Sequence, residues 1–276
     1  MTPLPPSPRR AEPAGEGLRL SYRQAREKLK RLPWRVAVPS FVLPAGVADN
    51  CRFLDGLADE VSLLFLEARA CLDYGPADLP AWLADLDLDY HVHLPLDLPW
   101  DRGPEPALEG ILALAGKAAF LAPRAFVLHP PGDLGLLPAI AARWAGQGPA
   151  APLLLENTAQ HEPAALAGPA GAAGLGLCLD LGHAMAYARE PAARSVDFGR
   201  VGMLHLSAPG RGDEHLPLDR LDPGGRDLLR SWLARLPPAA TLTVEVFSVP
   251  GLLASLHCLA DWAADWVLAR GAGHDP

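Results

Sequence analysis

The feature that most constrains the fold is an alternation of short apolar runs with helix-like segments along most of the chain. Eight runs rich in β-forming residues follow one another: RVAVPSFV, EVSLLFLE, LDYHVHL, AFVLH, PLLLE, GLCLD, VGMLHL and TLTVEV. Segments such as ALEGILALAGKAAFL and GLLASLHCLADWAADWVLA have helical spacing of their apolar residues. Strands that are almost continuously apolar are buried on both faces, and strand–helix alternation requires parallel pairing through crossovers. The pattern therefore predicts a (β/α)8 TIM barrel.

An open doubly wound sheet is the alternative α/β architecture, but no GxGxxG turn follows the first run. A chain of 276 residues is long enough for one barrel domain. Residues 1–17 are rich in proline, alanine and glycine and are predicted to be a disordered tail. Residues 18–33 are predicted to form an N-terminal helix that Pro33 ends, and residues 34–270 to form the barrel.

Composition limits the partners and the compartment. The formal net charge of −8 disfavours long polyanions, because proteins that bind nucleic acid usually present a basic face. No segment has the apolar length of a membrane span or a signal peptide, and the four cysteines form no CxxC pair. We therefore expect a cytoplasmic protein without nucleic-acid or membrane partners; the sequence leaves its oligomeric state open.

Possible metal ligands stand at the ends of nearly all the predicted strands. In a parallel barrel the carboxyl ends of all the strands meet at one face, so residues distant in sequence converge there. Crowded carboxylates and imidazoles are costly to bury unless a cation neutralises them. Nitrogen and oxygen donors without cysteine indicate a catalytic site for zinc, manganese or iron(II). The candidates are Glu67, His93, His129, Glu156, Asp180, His183, His205, Asp213, His215 and Glu245.

Three further side chains near these ends, together with Glu67, are candidates for supporting roles. Asn157 is expected to orient Glu156. Arg211 and Ser40 are candidate phosphate contacts, although Arg211 could equally offset the acidic loop and Ser40 could be an ordinary turn residue. Glu67 is the weakest of the acidic candidates, since Arg69 could simply be its ion-pair partner. We include it as a possible substrate contact.

The order of these short motifs resembles the xylose-isomerase-like barrel superfamily, and in particular its endonuclease IV branch. The motifs are HLP at His93, LHP at His129, LEN at Glu156, DLGH at Asp180, LHL at His205, DEH at His215 and VEV at Glu245. The match covers most of residues 34–268. The segment VPSFVLPAGVADNCRFLDGLADEVSLLFLE is also similar to the cobamide-remodelling phosphodiesterases of this superfamily.

The resemblance implies two to three divalent ions, with zinc preferred and manganese or iron as alternatives. It assigns them to three groups, the first two of which share Glu156: His93, His129 and Glu156; Glu156, Asp180, His205 and Glu245; and His183, Asp213 and His215. It also implies a substrate, an adenosylated cobamide, and cleavage of the bond between phosphate and ribose in its nucleotide loop. The products would be adenosylcobinamide phosphate and an α-riboside.

Three other functions stay open on the sequence. A sugar isomerase or epimerase of the same superfamily would use Glu156, Asp180, His205 and Glu245 around one metal ion. An abasic-site endonuclease would use the whole ligand set, and the charge balance disfavours it. A corrinoid- or sugar-binding protein without catalysis is the third, and the intact ligand set argues against it.

Overall fold

A computed structural model describes residues 15–187, 196–212 and 214–271, and its eight long strands close into a parallel barrel. The barrel strands are β1 Arg35–Pro39, β2 Glu60–Leu64, β3 Asp89–His93, β4 Phe126–Leu128, β5 Leu153–Glu156, β6 Gly176–Asp180, β7 Val201–Leu206 and β10 Thr241–Val244. Between β7 and β10 lie the two short strands β8 Ala208–Pro209 and β9 His215–Leu216, which pair antiparallel.

Helices connect consecutive strands of the barrel on its outside. The helices are α1 Glu16–Leu29, α2 Val47–Leu54, α3 Ala68–Leu72, α4 Pro104–Ala118, α5 Leu137–Gln147, α6 Pro163–Ala172, α7 Leu181–Tyr187, α8 Pro223–Leu233 and α9 Val249–Gly271. Each barrel strand pairs in parallel with its sequence neighbours, and β10 closes the ring against β1. This confirms the predicted (β/α)8 barrel.

Within the described ranges, no helix combines the length and apolarity that crossing a membrane requires.

The N-terminal helix differs in its bounds from the prediction of residues 18–33. Helix α1 begins at Glu16 and ends at Leu29, and a turn connects it to Pro33. It packs against α9, where the Tyr22 hydroxyl donates a hydrogen bond to the Val249 carbonyl at 2.8 Å. The predicted tail therefore does not extend to residue 17, and its residues 1–14 lie outside the described part of the chain.

Alternate residues of each strand face the helices or the barrel interior. In β2, Val61 and Leu63 pack in the apolar layer between strands and helices, whereas Glu60 and Leu64 face inward. Full burial of an aliphatic side chain of this size contributes about 1.5–3 kcal/mol. The outer layer thus contributes strongly to stability, and some of the inward positions carry polar side chains.

The barrel interior has an apolar half and a polar half beneath the strand ends. The apolar half consists of Ala125, Val127, Leu154, Cys178 and Met203. The polar half consists of Glu60, Ser62, His91, Thr241 and Thr243. In the polar half, Nδ1 of the fully buried His91 lies 2.7 Å from Oε1 of Glu60, and its Nε2 lies 3.5 Å from the Thr243 hydroxyl.

We expect Glu60→Ala to lower the free energy of unfolding by about 2–4 kcal/mol, because it leaves the buried His91 imidazole without its hydrogen-bond partner and leaves a cavity. Glu60→Gln keeps a hydrogen-bond acceptor for His91 and is expected to be less destabilising. Urea unfolding followed by circular dichroism measures both variants. A Glu60→Ala protein as stable as the wild type would show that the pair contributes nothing to the barrel.

Candidate metal centre

The strand ends bring eight of the predicted ligands to one face of the barrel. His93, Glu156 and Asp180 are the last residues of β3, β5 and β6. His205 is near the end of β7, and His129 and Glu245 directly follow β4 and β10. His183 lies in α7 and His215 on β9. Because all the barrel strands are parallel, their ends converge on one cavity.

Glu156 is the centre of this cluster. Its Oε2 lies 3.0 Å from His93 Nε2, 3.4 Å from His129 Nε2 and 3.3 Å from His205 Nδ1. Its Oε1 lies 3.5 Å from His183 Nδ1. One buried carboxylate is therefore shared by imidazoles that come from four different strand ends.

A second carboxylate, Glu245, extends the cluster to the other side. Its Oε2 lies 3.2 Å from His205 Nδ1 and 3.5 Å from His215 Nδ1. The His183 and His215 rings are 5.8 Å apart between centroids. These two histidines are thus close enough to act together; Asp213, which the resemblance groups with them, lies outside the described residues.

Backbone and amide groups fix the orientation of several ligands. Nδ1 of His93 lies 2.9 Å from the Leu94 carbonyl, which can only accept, so Nδ1 carries a proton and Nε2 is the ring nitrogen that faces Glu156 Oε2, at 3.0 Å. The Asn157 amide bridges to the backbone of Asp180, accepting from its N–H at 2.8 Å and donating to its carbonyl at 3.1 Å. The backbone carbonyl of Asn157 accepts a hydrogen bond from His183 Nδ1 at 3.0 Å.

The surroundings shift the pKa values of the three buried carboxyl groups in opposite directions. Burial opposes ionisation of Glu156, but His205 and His129 hold the pKa of its carboxyl well below the usual range. Burial likewise opposes ionisation of Glu245, and His205 outweighs it, so its pKa falls to about 2. Burial raises the pKa of Asp180. The cluster thus already contains ionised carboxylates that a cation would stabilise.

The donor set fits divalent cations. One ligand atom each from Glu156, Asp180, His205 and Glu245 lies within 4.8 Å of the others, and so do those from His93, His129 and Glu156. Among the described residues, Asp180 Oδ2 and His205 Nε2 are buried without a hydrogen-bond partner. Buried polar atoms left unpaired are costly, and a bound cation satisfies such oxygen and nitrogen donors. Imidazole and carboxylate ligands suit zinc, manganese and iron.

Cys178 is a neighbour of this cluster that the sequence pattern presents only as a small apolar residue. Its sulfur lies within 4.8 Å of ligand atoms of Glu156 and His205, and burial raises the pKa of its thiol to about 12. Burial would lower the pKa of the His205 imidazole, but Cys178 and the nearby carboxylates hold it well above the usual range. The period of two along β6, which places Cys178 on the same face as Asp180, was the available sequence signal.

The other predicted contacts lie away from the cavity or are already bonded. The buried Ser40 hydroxyl accepts from the Leu64 N–H at 3.0 Å, so it joins two strands. Glu67 is exposed at the start of α3, and Arg211 is exposed; neither lines the cavity. Asn157 bonds to the neighbouring strand end rather than to the Glu156 carboxylate.

The cluster forms the floor of a cavity of about 600 Å³. Its lining is mixed and includes ligand histidines, the polar Gln160 and large apolar side chains such as Leu96 and Phe247. None of the described residues that line it is a lysine or an arginine. The cavity can therefore bind a sizeable, weakly charged molecule over a cation-binding floor.

Comparisons with known proteins relate the chain to others by fold. No protein-family model and no curated protein sequence matches it. Endonuclease IV from Thermus thermophilus superposes with a TM-score of 0.65 at 22% identity, covering 84% of this chain and 99% of that one. The TTHB071 protein from the same organism, soaked with ZnCl2, gives a TM-score of 0.57 at 27% identity over 85% and 99% of the two chains. A D-tagatose 3-epimerase-like protein gives a TM-score of 0.65 at 16% identity over 86% and 99%. The structural neighbours are thus xylose-isomerase-like barrels that include endonuclease IV.

Proposed function

We propose that this chain is a divalent-metal-dependent phosphodiesterase that hydrolyses the nucleotide loop of adenosylated cobamides. In this reaction water adds to phosphorus and the bond between phosphorus and the ribose oxygen breaks. The proton lost by water ends on the ribose oxygen. The products are adenosylcobinamide phosphate and an α-riboside.

The observation that carries the proposal is the shared position of Glu156. Glu156 belongs to two groups of possible ligand atoms, one with His93 and His129 and the other with His205. Its Oε2 lies 3.0–3.4 Å from a ring nitrogen of each of these three histidines. Such a carboxylate is suited to bridging two cations, and paired cations are typical of phosphoester hydrolysis. Among the described residues, His129 belongs only to the group with His93 and Glu156, so a single cation held by the other ligands would leave it without an ion to bind.

The residues that would hold the cations are those of the candidate metal centre. When bound, divalent ions supply the positive charge that stabilises phosphoryl oxygens and makes water a better nucleophile near neutral pH. The chain itself supplies orientation: the Leu94 carbonyl fixes the tautomer of His93, and Asn157 holds Asp180 and His183. Fixed donors avoid reorganisation during the reaction.

The size and charge of the cavity support a large substrate with few charges. A volume of about 600 Å³ exceeds what a simple sugar needs, and lysine and arginine are absent from the described lining. A nucleic-acid backbone would require several cationic contacts. A cobamide presents one phosphodiester on a large macrocycle, which agrees with both features.

The test is incubation of the metal-replete protein with adenosylcobalamin, followed by chromatography and mass spectrometry. We expect adenosylcobinamide phosphate and the riboside of the lower base to accumulate in equal amounts. Protein that retains its metal ions but leaves adenosylcobalamin intact would refute the cobamide assignment. Cleavage of abasic duplex DNA by the same preparation would instead favour the endonuclease function.

A sugar epimerase is the second candidate, because Glu156, Asp180, His205 and Glu245 alone form a compact group. His129 discriminates between the two functions, since it lies outside that group. We expect His129→Asn to slow diester hydrolysis on the order of 100-fold. A ketose epimerisation assay on the same variant completes the comparison: epimerase activity retained in His129→Asn, without diesterase activity in the wild type, would replace our proposal.

A further inference from the structure

Large exposed apolar side chains are concentrated at the mouth of the cavity. Among the described residues, the exposed ones are Leu20, Phe41, Leu66, Leu96, Phe120 and Phe247. Four of them, Phe41, Leu66, Leu96 and Phe247, follow the ends of β1, β2, β3 and β10, and we name these four the apolar arc. Single exposed apolar residues are ordinary on protein surfaces, whereas a group at one cavity marks a binding surface.

The apolar arc occupies one continuous side of the barrel mouth. Strands β10, β1, β2 and β3 are consecutive around the ring, so their loops are neighbours. The Phe41 and Phe247 rings meet edge to face, with centroids 6.4 Å apart. The opposite side of the ring, after β5, presents the polar side chains Thr158 and Gln160. The mouth therefore has two chemically distinct sides.

The apolar arc is continuous with the candidate metal centre. Leu66, Leu96 and Phe247 line the same cavity as the ligand histidines, and the Phe247 ring centroid is 5.1 Å from that of His215. Leu96 remains 60% exposed and Leu66 49% exposed, so the described part of the chain does not cover them. The part of a ligand that packs on the arc would therefore lie next to the part of the same ligand that reaches Glu156.

We propose that the apolar arc binds the corrin macrocycle of the substrate, with the phosphodiester directed toward Glu156. This inference rests on the proposed function and names the part of the substrate that each side of the mouth receives. The macrocycle is a broad ring with apolar faces, which matches an arc built from four loops. The departing riboside, which is smaller and rich in hydroxyl groups, faces Thr158 and Gln160.

The probe for this subsite is cobinamide, which has the macrocycle and lacks the nucleotide loop. Its affinity for the full-length, metal-replete protein is measured by equilibrium ultrafiltration, using its own absorbance. Leu96→Asp and Phe41→Asp each place a charge on the arc. Phe120→Asp is the matched control, because Phe120 is 43% exposed but precedes β4, at the opposite end of the barrel.

We expect wild type and Phe120→Asp to bind cobinamide equally. We expect the dissociation constants of Leu96→Asp and Phe41→Asp to rise about tenfold or more, since each loses an apolar contact and gains an ion to desolvate. Metal content and the midpoint of urea unfolding report whether each variant keeps its structure. Leu66→Asp provides an independent variant if one of the others fails to fold.

Separate outcomes decide the two proposals. Cobinamide binding that is absent in the wild type, or unchanged in the folded arc variants, would overturn the subsite while leaving adenosylcobalamin cleavage to be judged by its own assay. Cobinamide binding that the arc variants weaken, without cleavage of adenosylcobalamin by the wild type, would support the subsite and refute the phosphodiesterase. An arc variant that changes only the oligomeric state, with cobinamide affinity intact, would overturn the subsite and show that a second copy of the chain covers the arc.

Discussion

Glu156→Gln is expected to reduce hydrolysis of adenosylcobalamin about 1,000-fold or more, which corresponds to about 4 kcal/mol of transition-state stabilisation. The substitution keeps the shape of the side chain and removes the negative charge that faces His93, His129 and His205. Elemental analysis should show fewer bound ions per chain than in the wild type. Initial rates at saturating substrate measure the loss of activity.

Glu67→Gln is the matched control for this experiment. Glu67 is also a glutamate near a strand end, but it is exposed and lies outside the cavity lining. We expect its rate and metal content to equal those of the wild type. A Glu156→Gln protein that keeps both would remove Glu156 from the centre of the site, and with it the basis of the phosphodiesterase proposal.

Removal of the metal ions is expected to have the other large effect. Dialysis against a chelator should abolish hydrolysis, and zinc or manganese should restore it, because the buried carboxylates and imidazoles supply ligands but no substitute for the positive charge. Elemental analysis before and after dialysis relates the rate to the ion content. Full activity in protein shown to be free of metal would contradict a metal-dependent mechanism.

The same dialysis should lower the stability of the fold. A ligand that binds the folded state at a free concentration of about 100 times its dissociation constant adds about 2.7 kcal/mol to the free energy of unfolding. Here the cations would also offset the repulsion between Glu156, Asp180 and Glu245, whose side chains are buried in one cluster. Urea unfolding with and without chelator measures the difference.

The barrel was predictable from sequence because two patterns are strong: apolar strand runs alternate with helical segments, and most of the runs end in a polar residue. Nearly continuous apolar strands specify burial on both faces, and a polar residue at or just after most strand ends interrupts that pattern at the position where a barrel collects its active site. His93, Glu156 and Asp180 are therefore conspicuous in the sequence, each closing an apolar run. The bounds of α1 were less accurate, since helix ends depend on local turns.

The supporting residues were not predictable in the same way, because their partners are distant in sequence. Whether the Ser40 hydroxyl faces the cavity or bonds to β2 depends on the stagger between the two strands, which no local pattern records. Asn157 reaches the backbone of Asp180 on the next strand for the same reason. Glu67 lies between the end of β2 and the start of α3, so it does not share the position at the barrel mouth that the ligands at the strand ends have.

The attachment of Asn157 to Asp180 and His183 has a consequence for the choice of ion. Ligands that are tied to two adjacent strands through backbone hydrogen bonds cannot close around an ion in the way a flexible loop does. If these ligands hold an ion, their spacing is largely fixed beforehand, and ionic radius is then the property by which we expect the site to select. We therefore expect small divalent ions of the first transition series to bind more tightly than calcium, which prefers longer bonds and more oxygen ligands.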